Sequence, residues 1–176
     1  MRVFIGLELT ESMRDEAARI AQAAQKLMPG KYVEPTNYHC TLAYVGEADE
    51  EMRGRVSEAL AQAAGKPLPA CALAQASFFH KPEKAILYCG LQSCESLMQA
   101  ALAVRRELAR RHVPHDPAPF LPHITLARGV CIDQAALDTL NPEGCGFRAP
   151  YVTLFESARV DGMLRYTPIE RVQWRG

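Results

Sequence analysis

The pattern His-x-Thr-Leu-Ala occurs twice in this chain, at 39–43 and at 123–127, 84 positions apart. Alternate residues of a β-strand project from one face, so each copy read as a strand sets an imidazole beside a hydroxyl. The correspondence extends beyond the motif. Residues 6–49 align with 90–133 without a gap and share 11 identities in 44 pairs, among them Gly6 with Gly90, Glu11 with Glu95 and Asp49 with Asp133. Average residue usage would give about three. A period this long does not suit a solenoid repeat. It predicts two copies of one supersecondary unit, related by a pseudo-twofold axis that brings matching strands together.

The local signals fill in each copy. Arg2–Leu9 is apolar and β-rich. Thr10 or Ser12 can cap a helix to about Leu27, with Met13, Ala17, Ile20, Ala24 and Leu27 on one stripe, stopped by Pro29-Gly30. The first motif strand runs Tyr38–Val45 and ends at Gly46. A second helix follows from Asp49 to about Ala64, where Gly65-Lys66-Pro67 breaks it. Strands Ala70–Phe79 and Ala85–Leu91 flank a turn at His80-Lys81-Pro82-Glu83. A long helix, Ser93–His112, leads through the proline-bearing 114–119 segment to the second motif strand, His123–Arg128. A short helix over Asp133–Leu140 and two or three antiparallel strands, Phe147–Ser157 and Arg159–Trp174, complete the chain. No G-x-G-x-x-G or P-loop follows a strand, which argues against a parallel nucleotide-binding sheet. The expected fold is α+β: residues 1–176 form one domain of two interleaved, pseudo-symmetric lobes. Antiparallel sheets line a central groove and helices lie outside.

Other classes are excluded or narrowed by composition. With 20 basic and 20 acidic residues the formal charge is zero, so no global field draws nucleic acid, and any RNA contact must be local. The six cysteines show no C-x-x-C pair and no zinc-like spacing. With no secretory leader in view, they read as reduced thiols of a cytoplasmic protein. No apolar run reaches a membrane span. The chain is expected to act as a monomer, without a metal or other cofactor. Two histidines lack further ligands, and no H-E-x-x-H or carboxylate cluster supplies them.

Two facing copies of the motif would gather two histidines and two threonines. Histidine titrates near neutrality, so one neutral and one charged imidazole can serve as base and acid. His39 and His123 are the candidate catalytic pair, expected to line one groove on the order of 5–8 Å apart so that the reacting group fits between them. Thr41 and Thr125 are candidate donors to an anion whose charge builds in the transition state. Phe4 and Tyr44 are candidates for stacking on a base, with Phe79 and Tyr166 behind them, although packing suits Phe4 as well. Lys81 and Lys84 read as a solvated turn. Arg105, Arg106, Arg110 and Arg111 read as cations complementing the end of a helix. His80, His112 and His115 lack repeat partners and read as surface residues.

The motifs and their flanks resemble the 2H phosphoesterase superfamily, and within it the RNA 2′,3′-cyclic phosphodiesterase branch, also called LigT-like or 2′–5′ RNA ligase proteins. Arg2–Leu7 is similar to that family's opening strand. Asn37-Tyr38-His39-Cys40-Thr41-Leu42-Ala43-Tyr44-Val45-Gly46 resembles its N-x-H-x-T-L-x-F-L-G segment, and Pro122–Arg128 its P-H-I-T-L-x-R segment. Ser157 and Tyr166-Thr167-Pro168 are similar to its closing strands. The chain departs from the pattern at Tyr32-Val33, where many relatives carry Trp-Val, so substrate contact is not carried over there.

The resemblance implies hydrolysis of RNA 2′,3′-cyclic phosphate ends to 2′-phosphomonoesters, and a reverse activity that forms a 2′–5′ linkage. It implies His123 as base, His39 as acid, and Arg128 at the phosphate, where a fork of donors is apt. Strict alternation from Thr125 puts Arg128 on the wrong face, so the expectation requires a bulge or a strand end. Tyr44 is the repeat partner of Arg128, which makes that role asymmetric. The same site could take other substrates: a 2′–5′ oligoadenylate, a small cyclic nucleotide, or an RNA 3′ end to be trimmed. A non-catalytic RNA- or nucleotide-binding module is the alternative of another class.

Overall fold

The computed structural model describes residues 1–65, 69–81, 84–92, 95–144 and 146–175. Expectations that fell on Lys66-Pro67, Pro82-Glu83, Ser93, Cys94 and Cys145 lie outside the described residues. The elements run β1 (Arg2–Glu8), α1 (Glu11–Gln25), β2 (Lys31–Tyr32), a 3-10 turn (Pro35–Asn37), β3 (His39–Glu47), α2 (Glu50–Ala63), β4 (Ala70–Phe79) and β5 (Ala85–Gln92). They continue with α3 (Glu95–Arg110), β6 (His123–Val130), α4 (Gln134–Leu137), β7 (Gly146–Arg148), β8 (Tyr151–Val160) and β9 (Met163–Gln173). The fold is α+β with an antiparallel sheet.

Helix boundaries follow their caps. The Thr10 hydroxyl accepts from the Met13 amide at 3.4 Å, and the Asp49 carboxylate accepts from the Met52 amide at 2.8 Å. Met13, Ala17, Ile20 and Ala24 form the buried stripe of α1. Leu27 does not extend it: the helix ends at Gln25, Leu27 is 56% exposed, and Met28 turns into the core instead, its amide bonded to the Ala24 carbonyl at 2.7 Å.

The strands form one continuous sheet in the order β7-β4-β5-β6-β3-β1-β8-β9, rather than a separate sheet in each lobe, with β2 alongside β6. The halves join where β3 and β6 meet in a single residue pair, Cys40 with Ile124. β2 then occupies the same edge of β6, pairing Tyr32 with Ala127 and Lys31 with Arg128. β3 and β6 thus touch at one point and part beyond it, which opens a groove over the motifs. α1 packs against β6 and α3 against β3. Each of these helices covers the motif strand of the opposite half, and we infer from this exchange that residues 1–176 are one domain of two interleaved lobes.

The Leu-Ala of each motif encodes a bulge. Along β1, Gly6 pairs with Thr41 but Ile5 with Ala43, leaving Leu42 as an extra residue. Along β5, Tyr88 pairs with Thr125 but Leu87 with Ala127, leaving Leu126 extra. Consecutive burial of Leu42 and Ala43, and of Leu126 and Ala127, marks the change of phase. Gly6 faces the first bulged strand closely: a Cβ there would stand 2.7 Å from the Cys40 carbonyl oxygen.

Arg105 does more than complement its helix. Its Nε–H donates to the Leu42 carbonyl at 2.9 Å, a second N–H donates to the Ala118 carbonyl at 2.6 Å, and the guanidinium lies 5.8 Å from the centre of the Phe120 ring. It fastens the connection that leads into the second motif onto the first motif strand. Arg110 and Arg111 pair with Glu107, both at 2.7 Å.

Candidate active site

Four motif side chains line one open cavity of about 460 Å³: His39, Thr41, His123 and Thr125. The volume is within the usual range for a small-molecule site. The arrangement follows from the Cys40–Ile124 pair, because each partner is the residue between His and Thr of its own motif. That single pair brings both histidines and both threonines to one junction, close enough that His123 acts on the charge of His39.

Arg128 and Tyr44 also line this cavity. The bulges bring them there. Thr125 and Arg128 pair with Tyr88 and Ile86, and Thr41 and Tyr44 pair with Gly6 and Phe4, so each pair shares a face despite its odd spacing. Burial raises the pKa of the Tyr166 phenol, and the nearby Arg128 guanidinium opposes that shift.

Both imidazoles are oriented by backbone. Nδ1–H of His39 donates to the Asn37 carbonyl and Nδ1–H of His123 to the Leu121 carbonyl, both at 2.7 Å. A carbonyl can only accept, so the proton sits on Nδ1 and Nε2 is left for chemistry. The Thr41 hydroxyl donates to Nε2 of His39 at 3.1 Å. Aromatic rings hold each imidazole in place. Phe4, Tyr166 and Phe155 surround His39 with ring centres 4.6, 4.9 and 5.7 Å away. Phe79 and Tyr88 lie 5.0 and 5.4 Å from His123.

These surroundings tune charge. Burial lowers the pKa of His39 to about 4, opposed by its bond to the Asn37 carbonyl and reinforced by the nearby His123 and Arg128. Burial also lowers that of His123, with Arg128 adding to the effect. In the unliganded protein at neutral pH both rings are therefore neutral, beside a permanent guanidinium. The cavity is prepared for an anion, whose arrival would favour the imidazolium form. Among the described residues no group of three His, Cys, Asp or Glu side chains is placed to hold a metal ion. No helix among them is long and apolar enough to cross a membrane.

The aromatic candidates separate. Phe4 lines the cavity but is 3% exposed, stacked on Phe155 and against His39, so it buttresses the imidazole and has little face left for a base. Tyr44 is 39% exposed at the rim of the cavity and retains such a face. Tyr166 lines the wall. Tyr32 and Val33, where the chain departs from the family pattern, line the cavity too; the Tyr32 hydroxyl donates to the Met28 carbonyl at 2.8 Å. Lys81, Lys84, His80, His112 and His115 are not among the lining residues.

Asn37 is a residue that sequence reasoning left without a role. It is buried, its side-chain amide donates to the Leu164 carbonyl at 2.8 Å, and its carbonyl oxygen Oδ1 accepts from the Tyr166 amide at 3.1 Å. With its backbone carbonyl on His39, it ties the imidazole to the β8–β9 hairpin. Its place two residues before His39 was visible in the sequence; its reach to a strand 127 positions away was not. Asn37→Ala should leave two backbone groups of β9 unpaired. Each such group costs roughly 1–3 kcal/mol where it stays buried. The expected result is a lower urea midpoint together with a loss of kcat; full stability and activity would show that β9 is held by other contacts.

The chain is similar to known proteins over most of its length. The model of the 2′-5′ RNA ligase superfamily matches residues 11–156. The Escherichia coli protein named RNA 2′,3′-cyclic phosphodiesterase is 28% identical over 174 residues, covering 97% of this chain and 94% of its own. A Thermotoga maritima protein of the same name is 25% identical, covering 94% of this chain and 100% of its own. Among solved structures, E. coli LigT in complex with 3′-AMP superposes with a TM-score of 0.79 at 27% identity, covering 99% of this chain and 98% of that one. A Thermus thermophilus structure reaches a TM-score of 0.81 at 22% identity, covering 100% and 99%, a likeness of fold.

Proposed function

The chain belongs to the 2′–5′ RNA ligase superfamily, whose sequences carry the paired motif of the 2H phosphoesterases, and from that membership and the groove's geometry we propose that it hydrolyses 2′,3′-cyclic phosphate ends of RNA to 2′-phosphomonoesters. The observation that carries this reading is the gathering of two Nδ1-anchored imidazoles, two threonine hydroxyls and one arginine around a single cavity. That set supplies a base, an acid and anion donors, the needs of an in-line phosphodiester cleavage.

In the proposed reaction, Nε2 of His123 takes a proton from water as the water oxygen bonds to phosphorus. The bond from phosphorus to the 3′ oxygen breaks, and Nε2–H of His39 protonates that oxygen. The product carries a 2′-phosphate and a 3′-hydroxyl; His123 ends charged and His39 neutral, and exchange with solvent resets the pair. Two features favour this division. His123 is the less deeply buried ring, where water can reach it. His39 lies in a dry aromatic setting, where an imidazolium is a strong acid once an anionic phosphate has drawn a proton onto it. Thr41, Thr125 and Arg128 hold the non-bridging oxygens. With the 5′-hydroxyl of a second RNA in water's place, the same steps form a 2′–5′ linkage. All these groups come from one chain, so the reading needs only a monomer. The buried thiols Cys40 and Cys89 suit a reducing, cytoplasmic setting.

The test is incubation of an RNA oligonucleotide ending in a cyclic phosphate, with and without prior dialysis against a strong chelator, and assignment of the product by phosphorus NMR. The expected product is the 2′-phosphate, at equal rates in both preparations. A 3′-phosphate product would reverse the substrate's orientation in the groove. Loss of activity in chelator with recovery on one divalent ion would replace the two-histidine mechanism.

A further inference from the structure

Next to the catalytic cavity lies a second one of about 570 Å³, and the two are continuous over Tyr44, Arg128 and Tyr166, which line both. Their chemistry differs. The first cavity alone takes in Tyr32, Val33 and Met163, together with Lys31 and Glu34, while Leu164 lines both. The second adds Arg2 from the start of β1 and Arg159 from the end of β8, so with Arg128 it has three guanidinium groups, against the carboxylates of Glu47 and Glu156. Glu47 lies 3.6 Å from Arg2, with the two side chains 74% and 58% exposed, a weak surface pair that leaves the guanidinium open to another anion. Arg159 has one N–H on the Gly162 carbonyl at 3.0 Å, which steadies it without neutralising it.

We propose that this second cavity is a subsite for the internucleotide phosphate immediately 5′ of the terminal nucleotide, which would make the chain selective for oligonucleotide ends over cyclic mononucleotides. The inference rests on the reaction proposed above. A nucleotide whose 2′ and 3′ oxygens are both tied up in the cyclic phosphate joins the rest of its RNA through its 5′ oxygen alone. With its base against Tyr32, Val33, Met163 and Leu164, and its cyclic phosphate between the histidines, the 5′ side leaves past Arg128 and Tyr44. The next phosphate then meets Arg2 and Arg159. Tyr44, half-exposed at the junction, offers a ring face to the penultimate base.

The experiment compares a nucleoside 2′,3′-cyclic phosphate with a trinucleotide ending in the same group. Wild-type kcat/KM should be higher on the trinucleotide and fall with salt more steeply than on the mononucleotide, by about 0.7 in the logarithmic slope for each additional phosphate contact. The double variant Arg2→Ala/Arg159→Ala should lose most of that preference, on the order of tenfold, as expected for two weakened charge contacts. Its mononucleotide kinetics should stay within about twofold, on the same reasoning. Arg159→Lys keeps the charge but not the fork, and should retain most of the preference; its loss there would make Arg159 a brace of the hairpin instead.

Equal kcat/KM on both substrates in wild type, or equal losses on both in the double variant, would overturn the subsite. Calorimetric binding of the corresponding 2′-phosphate mono- and trinucleotide is measured in parallel. Absence of turnover on either substrate would refute the reaction, while the binding difference between the two ligands, and its sensitivity to Arg2 and Arg159, would still decide the subsite.

Discussion

Replacing either His39 or His123 with Ala is expected to lower kcat by roughly 10²–10⁴, the range for losing a general acid or base. The two rings are not interchangeable in their pH behaviour. Burial holds the pKa of His39 at about 4 in the free protein, and that of His123 below its ordinary value. One imidazole must be charged and the other neutral for turnover, so kcat/KM, which reports the free protein, should follow a bell centred on the acid side of neutrality. The protonated fraction of the acid falls tenfold per pH unit above its pKa, and the alkaline limb records that fall. In kcat, which reports the complex, the bound phosphate anion raises the acid's pKa and the alkaline limb should move upward. Each alanine variant should lose one limb. Near-normal turnover in either variant would remove that histidine from the mechanism.

The same burial predicts a stability effect. His39 binds protons less readily folded than unfolded, so its contribution to stability is present above its unfolded pKa of about 6.5. It is lost progressively as pH falls towards the folded value of about 4. A neutral substitute such as His39→Gln should flatten that part of the acid unfolding curve, a readout independent of activity.

The next largest losses are expected at the anion donors. Thr41→Ala, Thr125→Ala and Arg128→Ala should each lower kcat by roughly 10–10³, as for removal of one transition-state donor. Arg128 should fall at the upper end, because its charge and planar fork match phosphate oxygens in a way a hydroxyl cannot. Arg128→Lys should recover only part of the loss. Thr41 differs from Thr125 in that its hydroxyl donates to Nε2 of His39, at 3.1 Å. Thr41→Ala should therefore also change the pKa of His39, followed by NMR of the ring, whereas Thr125→Ala should act on rate alone. Losses confined to KM would mean that these groups bind substrate and transition state equally.

Much of this site was legible because its parts are local. Two H-x-T strands, the helix caps at Thr10 and Asp49, and the spacing of the halves are all properties of short segments, and strand alternation alone put each histidine beside its threonine. Arg128 marks the edge of that reasoning. Counting residues places it on the wrong face; only the pairing of β5 with β6 reveals the extra Leu126 that turns it back. Leu27 fails for a similar reason: the periodicity ran on, but the helix stopped two residues earlier and Met28 claimed the core.

Which functional groups the site gathers was legible in the residues alone, since strand alternation applied twice sets His39 beside Thr41 and His123 beside Thr125. Tertiary structure decided everything that depends on partners distant in the chain. It set Cys40 against Ile124, which makes the two motifs one site. It buried Phe4 beneath His39 and tied Asn37 to β9, 127 positions away. It also joined the motif-lined cavity to a basic one built from the start of β1 and the end of β8. A pattern of residues records what one strand presents; which strands meet, and what their meeting dries or charges, is an energy of the whole packed sheet.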